Sequence, residues 1–206
     1  MRRYTYREGT LDTVRRRMKT VAVEDGGGQL VGRVVRGEIP GCEGTGTFRW
    51  ESPAGDATQV GVRKMTVRSV LGRLLRPTYT VTHTTEAAQA EAGVEVGRLK
   101  DRIGENILYF AVEGTVDGHR VVAIADWDGT VTVDVRPEGA KKVRIGRFSA
   151  GGLVTRTQVL VDEDALAELC DGADPRSTAL FGLLILLPFL HRIYTEESSL
   201  IEDLLG

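Results

Sequence analysis

The sequence predicts an all-β protein in which a curved, nearly closed antiparallel sheet wraps one apolar helix near the C-terminus. Three observations predict it. Short segments that alternate apolar and polar residues recur from about residue 18 to 161. Turn-forming breaks rich in glycine and Asp-Gly separate them. Twelve consecutive residues without a polar side chain, Ala179 to Leu190, then follow.

The strands come first. "MKTVAV", "QLVGRVV", "TFRWE", "QVGVRKMTVR", "TYTVTH", "VEVGRLK", "ILYFAVEG", "HRVVAIAD", "TVTVDVR", "KVRIGRF" and "VTRTQVLV" are rich in Val, Ile, Thr and aromatic residues. Many switch character at every second position, which gives a strand one buried and one wet face. "EDGGGQ" supplies glycines free to adopt positive φ, and "TVDGH" and "DWDGT" each place Asp-Gly between strands, a hairpin signal. Hairpins make sequence neighbours antiparallel and leave little room for crossover helices. "VGRVV", "LGRLL", "VGRLK" and "IGRF" repeat Gly-Arg inside an apolar frame at irregular spacing. They read as repeated hairpins with a glycine where a strand bends.

Two helices close the chain. "DEDALAEL" carries acids in its first turn, where the helix dipole favours them. Asp174 reads as the N-cap of the apolar helix and Pro175 as its first residue. That helix is a core element rather than a membrane span. A span needs about 20 apolar residues to cross about 30 Å of hydrocarbon, and twelve residues reach about 18 Å. Pro188 also costs a backbone hydrogen bond, which lipid tolerates poorly. Leu180, Phe181, Leu183, Leu184, Ile185, Leu187, Phe189 and Leu190 cover its whole circumference. A helix apolar all round must be surrounded.

The bulk numbers fit a folded chain. Of 206 residues, 41% are hydrophobic and 27% charged. No linker divides them, so one domain is expected over 1–206, with strands at about 18–161, helices at about 162–195 and an acidic tail at 196–206. Cys42 and Cys170 are far apart, and the N-terminus lacks an apolar signal core. A reducing, cytoplasmic setting is expected. Charge is unevenly distributed. Residues 1–80 hold 15 Lys and Arg against 8 Asp and Glu, whereas residues 81–206 hold 12 against 21.

The order of elements, the Gly-Arg hairpins such as "VAVEDGGGQLVGRV" and "YTVTHTTEAAQAEAGVEVGRL", and the final apolar helix resemble the tubby C-terminal-like superfamily, which includes phospholipid scramblases and LURP-one-related proteins. The resemblance covers about residues 18–195. It implies a roughly twelve-stranded antiparallel barrel around a hydrophobic helix, without enzymatic activity, in a family that binds phosphoinositide headgroups or associates with membranes and calcium. No residue matches a family binding motif, and the palmitoylated cysteine cluster of scramblases is missing.

For chemistry, the best patch is "RKMTVRSVLGRLLR". Arg63, Lys64, Arg68, Arg73 and Arg76 are candidates to neutralise the phosphates of an anionic lipid. A second cluster, Arg15 to Lys19, reads as protection for an edge strand. Few aromatics interleave with either, which disfavours nucleic acid. "DWDG" lacks the further ligands of a calcium loop and reads as a hairpin turn, with Trp127 a rim aromatic. His83, His119 and His191 share no ligand spacing, and His191 reads as a charge at a helix C-terminus. No nucleophile elbow, P-loop or Cys-His pair appears. The expected function is a non-catalytic, cytoplasmic binding module that engages anionic lipid headgroups through its basic N-terminal half, peripheral to the membrane, with no cofactor or metal. The alternative is a protein-interaction scaffold, suggested by the acidic, amphipathic "TEESSLIEDLLG".

Overall fold

The computed structural model describes residues 1–8, 19–38, 45–63, 78–85, 93–101, 110–137, 139, 141–149 and 157–205. Its strands are β1 (Arg2–Tyr6), β2 (Thr20–Asp25), β3 (Leu30–Glu38), β4 (Thr45–Glu51), β5 (Ala57–Arg63), β6 (Thr78–Thr84), β7 (Val94–Asp101), β8 (Ala111–Val116), β9 (His119–Ala125), β10 (Thr130–Arg136), β11 (Val143–Ser149) and β12 (Gln158–Val161). Helix α1 (Glu163–Leu169), a 3-10 turn (Pro175–Ser177) and helix α2 (Ala179–Leu205) follow. Each strand pairs antiparallel with its sequence neighbours, and β1 pairs with β12, closing a twelve-stranded barrel.

Inward residues follow the period of two. Tyr4 and Tyr6 of β1, Val21 and Val23 of β2, Phe48 and Trp50 of β4 and Val131 and Val133 of β10 are all buried. The β8–β9 turn has Asp117 and Gly118 both at positive φ, the backbone that matches hairpin twist. Strand β1, outside the expected strand range, completes the ring. Closure leaves no edge strand, so Arg15 to Lys19 have no edge to guard.

Three of the Gly-Arg repeats mark β-bulges. Val31, Val96 and Ile145 are each the extra residue where register shifts against β2, β6 and β10, and each is followed by Gly-Arg. The bulged pairs are β2–β3, β6–β7 and β10–β11, one in every four strands, near the same end of the barrel. A bulge adds local twist, and regular spacing spreads the curvature needed for closure. Gly32 shows why glycine follows the extra residue. A Cβ there would overlap the Trp50 ring. The fourth repeat, Gly72-Arg73, lies outside the described residues.

Helix α2 runs through the lumen. Its Leu180, Phe181, Leu183, Leu184, Ile185, Leu187, Phe189 and Leu190 are all buried, and it packs mainly on β4 and β5. Phe181 meets Tyr4 edge-on at 5.2 Å between ring centroids, and Phe189 stacks on Phe48 at 5.2 Å. Gly182 lies against Thr58 so closely that a Cβ would overlap the threonine side chain. Pro188 has no amide for the Leu184 carbonyl. One residue on, the Tyr6 hydroxyl donates to the Ile185 carbonyl, so the barrel supplies a donor beside the weakened turn.

Two boundaries differ from expectation. Asp174 caps the 3-10 turn, and Thr178 instead starts α2, its hydroxyl accepting from the Phe181 amide at 3.2 Å. The residues expected as an acidic tail continue α2 as helix to Leu205. Among the described residues, no helix is long and apolar enough to cross a membrane.

Candidate functional site

Because adjacent strands run oppositely, every connection leaves and rejoins the sheet at one of two rims. Helix α2 enters at the upper rim, beside the ends of β12 and the starts of β5 and β11. It leaves at the lower rim, beside the end of β1 and the start of β8. The six lower connections (7–19, 39–44, 64–77, 102–110, 126–129 and 150–157) contain 11 Lys and Arg and 6 Asp and Glu, and residues 192–206, which follow the exit of α2 at that rim, add 1 and 4. The upper connections and the segment leading into α2 (26–29, 52–56, 85–93, 117–118, 137–142 and 162–178) contain 3 and 11. Strand topology thus turns the lengthwise charge asymmetry of the sequence into one between the barrel ends.

The upper rim is an interlocked cover. Asp162 accepts from the Ala165 amide and starts α1. Glu163, nearly buried, accepts from the Tyr4 hydroxyl and pairs with Arg2 Nε at 2.9 Å and Arg176 Nε at 3.1 Å. Arg176 also lies over the Tyr4 ring, 5.7 Å from its centroid. Burial, reinforced by the hydrogen bond to Glu163, raises the Tyr4 phenol well above its usual range. Nearby, His83 Nδ1 is 3.0 Å from the Thr58 hydroxyl, and burial lowers the imidazole. Burial likewise raises the Cys170 thiol, which disfavours the reactive thiolate. These groups hold the mouth shut around the entering helix. Among the described residues, no group of three or more potential ligands could hold a metal ion.

The lower rim is built differently. Lys19, Lys100 and Arg147 are exposed there and form no ion pair among the described residues, whereas Arg7 pairs with Glu24. At the upper end Arg2, Arg33, Arg98, Arg120, Lys142, Arg144 and Arg176 are matched by carboxylates. Arg3, Arg136 and Lys141 form no ion pair among the described residues. The β9–β10 turn at the lower rim carries Trp127, 83% exposed, whereas Trp50 in the lumen is 2% exposed. The turn is tightly bonded. The Asp126 carboxylate accepts from the Trp127 amide at 2.8 Å, and the Asp128 carboxylate accepts from the Thr130 amide at 2.8 Å.

Arg63 ends β5 at this rim, and its side chain lies outside the described residues, as do Lys64, Arg68, Arg73 and Arg76. The chain must still leave β5 and re-enter β6 at the lower rim, which fixes where that basic connection is attached. His191 corrects an expectation. It is not at a helix terminus but within α2, buried edge-on against Phe110 at 5.2 Å and Phe148 at 5.9 Å. Its Nδ1 has no hydrogen-bond partner among the described residues. Burial first, and Arg192 second, push the imidazole down to about 4.

No family model, curated protein or solved structure matches the chain.

Proposed function

We propose that this protein is a non-catalytic, cytoplasmic binding module that engages anionic lipid headgroups at its lower rim, with an architecture related to the tubby-like superfamily. The relationship is supported by twelve antiparallel strands closed around a C-terminal helix. The lipid reading is carried by one observation: strand parity anchors both basic stretches, Arg15 to Lys19 and Arg63 to Arg76, at the same end of the barrel. Each cation near an anionic surface contributes about 1 kcal/mol, so several on one rim add up where scattered ones would not. The lumen is filled by α2, so recognition belongs on the outside.

Sedimentation with vesicles tests this. The chain is expected to pellet with phosphatidylcholine vesicles containing phosphatidylserine and to stay free with phosphatidylcholine alone. Arg68→Gln, Arg73→Gln and Arg76→Gln together should weaken binding about a hundredfold at low salt, and added salt should weaken the parent similarly. Equal pelleting with both vesicles removes the lipid reading. The scaffold reading then takes its place, favoured by the helical continuation of α2 through Leu200, Ile201, Leu204 and Leu205.

A further inference from the structure

The most exposed large apolar side chain among the described residues is Trp127. A tryptophan on a surface needs an explanation that a lysine does not, because its ring is large and apolar. The hairpin that carries it also exposes Ile124, 38% accessible, at the end of β9 three residues earlier. The alternation of β9 puts Val121 and Ala123 inside and Ile124 on the outer wall. An apolar tip and an apolar shoulder therefore share one hairpin, at the rim where the basic connections are anchored.

The backbone of this tip is fixed rather than loose. Asp126 and Thr130 are bonded across the turn, the Asp126 amide donating to the Thr130 carbonyl at 2.8 Å. The Gly129 amide donates back to the Asp126 carbonyl at 3.0 Å, and Gly129 has φ +78. Two carboxylates flank the ring, and each accepts a backbone amide within the turn. With the adjacent connections 102–110 and 150–157, this side of the rim holds two Lys and Arg against three Asp and Glu, so electrostatics alone would not select this tip for an anionic partner. What the tip offers is an amphipathic ring on a rigid support, the residue type that settles at the boundary between headgroups and acyl chains.

We infer that the β9–β10 hairpin is a membrane wedge: Trp127, backed by Ile124, enters the headgroup layer of an anionic bilayer drawn to the basic lower rim. This rests on the lipid reading above and narrows it, since a free phosphate or a detached headgroup has no apolar layer for the ring to enter. Attraction and insertion are divided between separate connections of one rim: the basic 7–19 and 64–77 connections, each two connections away from the β9–β10 turn around the barrel, carry the long-range part and the ring the short-range part.

The two tryptophans make the test direct. Trp50 is enclosed and reports the barrel, whereas Trp127 reports the tip. Adding phosphatidylserine-containing vesicles should shift the emission of the full chain to the blue. Acyl chains brominated near the headgroup should quench it. Trp127→Phe should abolish both signals while leaving the Trp50 emission in place, and Trp127→Ser should loosen vesicle binding several-fold. A free polyphosphate should produce no blue shift. Vesicle binding with Trp127 still water-exposed overturns the wedge and leaves the headgroup reading standing. If the chain binds no vesicles of either composition, both fall together.

Discussion

The upper and lower rims come from the same twelve strands, yet they solve different problems. The upper rim must seal the mouth through which an apolar helix enters. It does so with α1, a 3-10 turn and a carboxylate, Glu163, shared by Tyr4, Arg2 and Arg176. The lower rim releases the helix, and its last buried turn is held by aromatic packing of His191 on Phe110 and Phe148. At the upper rim most cations are matched by carboxylates, whereas at the lower rim Lys19, Lys100, Arg147 and Trp127 face outward. The difference separates what holds the fold together from what is available to a partner.

The largest effects should come from cutting the plug that joins the rims. Phe181→Ala removes the ring packed on Tyr4 and Trp50, and Phe189→Ala the ring packed on Phe48 and Tyr6. Each should cost about 3–5 kcal/mol in urea unfolding, because the closed wall can collapse only partly around the cavity. A much smaller loss for Phe189 would mean that the lower half of the helix is held loosely.

Acid should then act at both rims, since burial lowers His83 at the upper rim as it lowers His191 at the lower. His191 titrates near 4 when folded and near about 6.5 when unfolded. The unfolded chain therefore takes up the proton first as pH falls. Stability is fully present above about pH 6.5 and declines toward pH 4, by as much as about 3 kcal/mol. Unfolding midpoints of His191→Phe should lack that decline. Tyr4 works in the opposite direction. Its raised pKa gives stability present below about pH 10 and lost at higher pH.

The smallest change in this series is Glu163→Gln. It weakens bonds to two arginines, one of them largely exposed, and should cost about 1 kcal/mol by the same unfolding measurement. Its effect on vesicle binding should be nil, since it acts at the other rim. A binding defect would show that the rims are coupled through α2.

Much of the wall was legible in the sequence. All eleven segments read as strands overlap β2 to β12, because period-two alternation survives in many of them and Val, Ile, Thr and aromatic residues mark the rest. Strand β1 was not legible. "RRYTY" opens with two arginines and has only Tyr4 and Tyr6 to face inward, so it reads as a basic leader until β2 and β12 need a partner between them. The Gly-Arg repeats were visible, but their meaning was not, since a bulge is defined by the strand opposite. His191 looked like a terminal charge because the apolar run stops at Leu190, whereas the helix does not. As for the candidate site, composition located the basic stretches, and Trp127 could be read as a rim aromatic. Nothing local could say that they share an end.

The sequence by itself determined that the chain is mainly β and that the Ala179 to Leu190 run must be enclosed, because alternation and hydrophobicity are properties of neighbouring residues. Only the tertiary structure decided that β1 closes the ring, that bulges recur every fourth strand, and that basic and acidic connections are attached at opposite rims. Those outcomes depend on which residues face one another across the barrel, and strand direction and register set that over separations of up to the length of the chain.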